Sequence, residues 1–309
     1  MQDSMRDPNS PDFGRRRLIT ALALSPFLLP LSVQASALTS TTYPDLNRIV
    51  ALEWLPIELL LTLGITPLAV VEIANYRLWV QEPALAPTVI DLGNRTEPNM
   101  ELLQQIDPSL ILYSTGFGPS VAKMQTIAPA MGFSFNDGSG LPLKLAKKSL
   151  QNLAEKLGVP ERATEHLALF QQRLAQSKQR LSAWDNTPLL LFTLLDAGHA
   201  LVFGKGSMFQ EVMDELDLKN AWTGDTNFWG SAIVGIEQLA TVSPQAQAIF
   251  FSHGNDALFA QVQKTPLWQA LPFVRGQKVI SQPGVWFYGA TLSAMRFCDL
   301  LESALGAKP

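Results

Sequence analysis

Cysteine is almost absent from this sequence. The 309 residues include one, Cys298, which excludes an internal disulfide and a cysteine-built zinc site. Histidine is nearly as scarce: His166, His199 and His253 are the full complement. No H-E-x-x-H pair and no G-x-S-x-G elbow occurs, so the signatures of zinc proteases and α/β-hydrolases are missing. Gly204-Lys205-Gly206-Ser207 resembles part of a phosphate loop but lacks the upstream glycine, and reads instead as a turn opening a helix at Ser207. Charge is sparse too, at 16% of residues and a net −4. No dense Lys/Arg stripe follows the N-terminus, which argues against a nucleic-acid partner. What remains is an ordinary globular composition, 47% hydrophobic with 20 Gly and 21 Pro, which rules out collagen, coiled coil and wholesale disorder.

The longest uncharged stretch lies near the N-terminus. Arg15-Arg16-Arg17 precede an apolar run, Leu18 to Val33, broken by Pro26 and Pro30. That run is too short and too interrupted for a comfortable membrane span of about 20 residues. Ala35-Ser36-Ala37 follows as a small-residue cleavage pattern. Basic, apolar and small-residue regions in this order predict an export signal over residues 1–37, and the consecutive arginines point to the twin-arginine route. A membrane anchor is the alternative. Export places the mature chain in a periplasm, where ATP is not at hand. That favours a binder, a hydrolase or a cell-wall enzyme.

The mature region alternates short apolar runs with helical patterns, which predicts α/β layers. Strands are expected at Asn47–Leu52, Pro67–Val71, Leu110–Tyr113, Pro188–Phe192 and Ala248–Phe251, with helices from Pro56 and Met100. Two segments recur in order. Glu58–Ile65 matches Glu211–Leu218, and Met100-Glu101 with Leu103 and Pro108 matches Ile236-Glu237 with Leu239 and Pro244. An apolar strand follows each second match, which supports a pseudo-repeat. Between the halves, one helix is expected over Leu143–Leu157, stopped by Gly158. Pro160 opens another reaching about Ala183. At 1.5 Å per residue the second would be roughly 36 Å long, enough to join two lobes as a strut. The expected organisation is a bilobed α/β protein: a lobe over 38–159, the helix 160–183 and a lobe over 184–309. His166 falls on the polar side of that helix and is expected to be solvated.

Aromatic residues gather where loops are expected. Trp54, Tyr76, Trp79, Tyr113 and Phe117 lie at strand ends or loops of the first half. Trp229 follows Asn227 and Phe228, and Trp286-Phe287-Tyr288 follows Pro283-Gly284. Aromatic surface on loops of both halves suggests a ligand cleft with apolar walls and a few polar handles. Trp184, Trp222 and Trp268 are assigned to the core. Arg95 is the one cation singled out, because a planar guanidinium suits closely spaced anionic oxygens. A salt bridge to Glu97 is the alternative. One cation among many aromatics implies a bulky, partly apolar, near-neutral ligand.

Long strings carry a resemblance over the whole chain: Asn47–Pro56, Asn75–Val80, Arg95–Asn99, Thr226–Ser231, Thr265–Arg275 and Val285–Met295. In these the chain resembles the periplasmic ferric-hydroxamate siderophore-binding proteins. The resemblance implies two lobes joined by one long helix with limited hinge motion, and a binding protein with no catalytic residues and no metal ligands of its own. Iron would arrive already chelated. It also implies that Arg95 binds hydroxamate oxygens and that Trp79, Trp229, Trp286, Phe287 and Tyr288 form the pocket wall. Asn227 and Ser231 match polar pocket positions, and Trp54 joins them. Two positions depart from the pattern: Phe117 stands where a relative has a hydrogen-bonding tyrosine, and Tyr113 where it has tryptophan. The implied partners are a ferric hydroxamate ligand and an inner-membrane ABC permease with its ATPase, met by a monomer. Glu101 and Glu237, paired by the pseudo-repeat, are candidate docking anchors for permease arginines. They could equally be carboxylates stabilised at helix N-termini. A receptor for a corrinoid or a ferric catecholate is the rival within the fold. An exported hydrolase using His199 or His253 is the rival from another class.

Overall fold

A computed structural model describes residues 42–306. The expected export signal, its arginines and its cleavage site lie outside the described residues. In chain order the first lobe holds β1 (Ile49–Ala51), α1 (Trp54–Thr62), β2 (Ala69–Val70), α2 (Ile73–Trp79) and β3 (Ile90–Asp91). It continues through α3 (Met100–Gln105), β4 (Leu110–Ser114), α4 (Val121–Gln125), β5 (Ala130–Phe133) and α5 (Pro142–Leu157). The connecting helix is α6 (Pro160–Arg180). The second lobe comprises β6 (Leu189–Leu194), β7 (His199–Phe203), α7 (Met208–Glu215), β8 (Ser231–Gly235), β9 (Gln247–Ser252), α8 (Asp256–Val262), α9 (Pro266–Ala270), α10 (Pro272–Arg275), β10 (Val279–Pro283) and α11 (Thr291–Leu305).

The strands form where the sequence offers short apolar runs, and their burial explains the composition. Ile49, Val50, Ala51, Leu110, Ile111 and Leu112 have no exposed surface. A parallel sheet covered on both faces needs such continuous runs rather than alternation. The first sheet has the order β3-β2-β1-β4-β5, with every pair parallel; Ile49 lies opposite Leu110, and Ile111 opposite Ala130. The second has the order β10-β9-β6-β7-β8. Its β6, β9 and β10 are parallel, and β7 and β8 are antiparallel additions. The central trio β1-β4-β5 is therefore repeated as β6-β9-β10. The repeat fails at β7, because only a short turn separates it from β6, whereas a parallel return needs a crossover of about a dozen residues or more.

The helix punctuation acts as the sequence suggests. Gly158 ends α5 with a left-handed φ of 72°, a conformation that costs glycine little. Pro160 opens α6 in its first turn. This helix buries Ala163, Phe170 and Leu174, worth about 1.5–3 kcal/mol for each of the two large side chains. It ends at Arg180, three residues short of the expected limit, and at 21 residues is roughly 32 Å long. Arg173 clamps it to α11 through Glu302 at 2.6 Å and Asp299 at 2.5 Å. His166 is not simply solvated. It is half-buried, its Nε2 lies 2.8 Å from Thr291 Oγ1 at the start of α11, and burial lowers its pKa. Cys298 is buried in α11, where burial pushes its thiol up to about 11.

The two lobes share one continuous apolar core, running from Ile49 and Leu60 through Phe170 to Phe209 and Phe297. The repeated glutamates lock it. Glu58 of α1 accepts from Ser293 N at 2.8 Å and Ser293 Oγ at 2.6 Å, at the start of α11. Glu211 of α7 accepts from Leu143 N at 2.5 Å and Lys144 N at 3.3 Å, at the start of α5. Each lobe thus supplies a carboxylate to a helix N-terminus of the other half, where the helix dipole and unpaired N–H groups favour negative charge.

Candidate ligand cleft

Two carboxyl-terminal strand ends meet at the centre of the first sheet. β1 and β4 are neighbours, although β2 and β3 come between them in the chain and lie on the other side of β1. Such a reversal of strand order leaves a crevice beyond the strand ends. Glu53 follows β1 and caps α1, accepting from Leu55 N at 2.8 Å and from Ser114 Oγ of β4 at 2.7 Å. A cleft of about 200 Å³ opens here, lined on the first lobe by Glu53, Leu55, Arg95, Ser114, Phe117 and Phe135. The second lobe contributes Trp229, Trp286 and Tyr288.

Arg95 sits on the loop after β3. Asn94 Oδ1 accepts from Thr96 N at 2.7 Å and Thr96 Oγ1 at 2.6 Å, which tightens that loop. Gly118 approaches so closely that a Cβ there would lie 3.0 Å from the Arg95 carbonyl oxygen. The guanidinium carbon stands 4.5 Å from the Trp54 ring centroid and 5.7 Å from that of Phe117, both within cation–π range. Its charge is met by Glu53 at 3.6 Å and Glu72 at 3.4 Å, not by Glu97. Both contacts are long for hydrogen bonds, so the guanidinium donors are not consumed by them. Glu72 holds a left-handed φ of 52° at the head of α2, a conformation uncommon for a residue with a side chain.

The opposite wall is aromatic. Trp229 stacks on Phe135 at 5.9 Å, and Tyr288 meets Phe135 at 5.1 Å, edge to face. Trp286 meets Trp54 edge to face at 4.8 Å. These pairs cross between the lobes, as does Asn136 Nδ2 donating to Phe228 O at 2.6 Å. Tyr288 lies 3.1 Å from Ser231 Oγ, and burial raises its pKa. The indole N–H groups of Trp54 and Trp286 are buried without an acceptor. An unpaired buried donor is costly, and of the two only Trp286 belongs to a residue that lines the cleft.

The structure gathers most of the expected site. Arg95, Phe117, Trp229, Trp286 and Tyr288 line the cleft, and Trp54 backs Arg95. Ser231 is fully buried behind Tyr288. Asn227 shapes the loop, its Oδ1 accepting from Trp229 N at 2.8 Å. Three residues lie elsewhere. Tyr113 alternates with Ser114 on β4; Ser114 faces the cleft, while Tyr113 packs with the cluster of Ile111 and Met124 on the other side of the sheet. Trp79 stacks on His253 at 4.8 Å, and Phe287 is 5% exposed, packed between Trp79 and Phe203. Neither lines the cleft. Glu53, Ser114 and Phe135 were not singled out from sequence. The N-cap position of Glu53, directly after a buried strand, was the available signal.

The two candidate catalytic histidines are also placed. His199 is exposed on the β6–β7 turn, with Nδ1 2.9 Å from Asp196 Oδ1. His253 Nδ1 donates to Trp79 O at 3.1 Å, since a carbonyl can only accept. Its Nε2 is buried without a partner, and desolvation lowers its pKa to about 4. Glu101 and Glu237 are exposed at the starts of α3 and of the 3-10 turn Ile236–Thr241.

Residues 49–285 match the family described as periplasmic binding protein. The iron(3+)-hydroxamate-binding protein FhuD of Escherichia coli K12 is 49% identical over 298 residues, covering 96% of this chain and 98% of that protein. The crystal structure of the Fe3+-Desferal-bound siderophore-binding protein FhuD from Vibrio cholerae superposes with a TM-score of 0.76 at 28% identity. It covers 84% of this chain and 97% of that one. The triscatecholate siderophore-binding protein FeuA of Bacillus subtilis gives a TM-score of 0.66 at 16% identity, over 86% of this chain and 94% of its own; this is a likeness of fold.

Proposed function

The chain belongs to the periplasmic binding protein family, and on that premise we propose that it is a non-enzymatic receptor for ferric hydroxamate siderophores. It takes them in the cleft between its lobes and hands them to an inner-membrane ABC permease and its ATPase. The observation that carries this reading is Arg95, held over Trp54 at the edge of a cleft whose far wall is Trp229, Trp286 and Tyr288. Three hydroxamates neutralise a ferric ion and leave a compact face of partly charged oxygens with organic arms around it. Arg95 suits the oxygens. The aromatic wall suits arms of varied shape. The near relationship to the Escherichia coli hydroxamate-binding protein supports the same ligand class.

The siderophore fills the iron coordination sphere, so the protein needs no resident cofactor. Among the described residues no group of three or more His, Cys, Asp or Glu could hold a metal ion. The receptor is exported to the periplasm by the twin-arginine route and works as a monomer. Glu101 and Glu237, one on each lobe, are the docking carboxylates for the permease. Reversing both charges is expected to leave siderophore binding intact and to impair uptake; normal uptake in that double variant would refute the docking role.

Titration of the mature protein with ferrichrome, and with gallium ferrichrome as a redox-inert control, tests the main reading through tryptophan fluorescence. Saturable one-to-one quenching by both, weakened about tenfold or more in Arg95→Ala, is expected from the loss of charge-assisted bonds. Failure of both complexes to bind would overturn the hydroxamate reading and direct the search to corrinoids and catecholates.

A further inference from the structure

Arg95 does not stand alone in the cleft. Glu53, which lines the cavity, approaches its Nη1 at 3.6 Å, and Glu72 approaches its Nε at 3.4 Å. The two carboxylates are well covered, their side chains 9% and 14% exposed, against 28% for Arg95. One cation between two anions leaves a net negative charge in a partly desolvated crevice. No other cationic side chain lines the cleft among the described residues. The rest of the lining is apolar or uncharged and screens little.

We propose that Glu53 and Glu72 make the cleft a charge filter, favouring neutral and cationic ferric complexes and rejecting anionic ones. This rests on the siderophore-receptor reading and deepens it by naming the charge class of the ligand. The two glutamates also act as positioning residues. They flank Arg95 on its Nε and Nη1 sides while Trp54 lies against the guanidinium, which sets the direction in which its donors point. Glu53 is itself fixed by Leu55 N and Ser114 Oγ. Glu72 is fixed through its backbone, whose N–H donates to Gly93 O at 2.8 Å in the loop that carries Arg95.

A matched ligand set isolates the charge. Ferrioxamine B carries a free ammonium on its tail; its N-acetyl derivative is neutral and its N-succinyl derivative anionic, with the same ferric core. At low salt the affinities are expected to fall from cation to neutral to anion by about three- to tenfold per unit charge, for charges near 10 Å apart in an intermediate dielectric. Raising the salt compresses the series. Glu72→Gln keeps the side-chain shape and is expected to flatten the series to within about twofold per step. The double variant Glu53→Gln/Glu72→Gln is expected to invert the series, because Arg95 is then uncompensated. A purely structural role for the glutamates would weaken all three ligands alike. Equal affinities for the three complexes in the unaltered protein would overturn the filter and leave the receptor reading intact. An unchanged series in both variants would do the same. Failure of all three to bind would overturn both.

Discussion

Truncating Glu58 to alanine is the most severe test of how the lobes are joined. The carboxyl is 1% exposed and serves both Ser293 N and Ser293 Oγ. Ser293 is itself fully buried, so its two donors cannot turn to water. Each donor left unpaired costs about 1–3 kcal/mol. Relief of carboxylate desolvation offsets part of this, because burial holds the Glu58 pKa above its ordinary value. A net loss of about 3–5 kcal/mol is expected, lowering the melting temperature by about 8–15 °C for a domain of this size. The repeat-related Glu211→Ala is expected to cost about 1–2 kcal/mol, because Glu211 is only half-buried and Lys144, one of the two residues whose N–H it holds, is exposed to water. The assay is urea and thermal unfolding of the mature protein at neutral pH. Glu58→Gln adds a pH arm. A raised folded-state pKa means that the carboxyl's contribution is complete below its ordinary 4.5 and is lost as pH rises through the folded value. The advantage of the unaltered protein over Glu58→Gln should therefore shrink as pH climbs above 4.5. Equal losses under 1 kcal/mol for Glu58→Ala and Glu211→Ala would refute the reasoning, since they would mean that solvent reaches both helix ends alike.

Further outcomes follow from other sites. His253 is held neutral by burial, its pKa lowered from 6.5 to about 4, so its stabilising contribution is present above 6.5 and lost as pH falls toward 4. His253→Gln should lessen the acid loss across that window by up to about 3 kcal/mol, read from urea midpoints at several pH values. Gly230 has a φ of 75°, and a Cβ there would lie 2.2 Å from Ser207 N; Gly230→Ala should displace the Trp229 loop, destabilise the fold by about 2–4 kcal/mol and weaken ligand quenching more than tenfold. Phe117 lines the cleft beside Arg95 without a polar atom. Phe117→Tyr adds a hydroxyl there and should tighten ferrichrome binding by about three- to tenfold, a hydrogen bond's worth, as measured by fluorescence titration.

Legibility in the sequence followed locality. The central strands, the Gly158 stop and the Pro160 start were readable because each depends on neighbours a few residues away. The pseudo-repeat was readable as pattern, but its consequence was not: that Glu58 and Glu211 each cap a helix of the other half depends on contacts 235 and 68 residues apart. Arg95 was identified from residue chemistry, whereas its two partners were not, since Glu53 and Glu72 come from other loops and Glu97, its near neighbour, takes no part.

The aromatic residues mark the boundary most clearly. Composition and loop position determined that this chain carries an apolar cleft with one cation, and a long run of shared strings determined its family. Which ring meets the ligand was decided by tertiary structure. Tyr113 and Ser114 are adjacent, but alternate side chains of a strand leave opposite faces of the sheet, and the cleft lies on the face of Ser114. Trp286, Phe287 and Tyr288 are consecutive, yet the first and third line the cleft while Phe287 fills the core against Phe203. Sequence sets the chemistry each residue can perform; the packing of distant elements sets the direction in which it is offered.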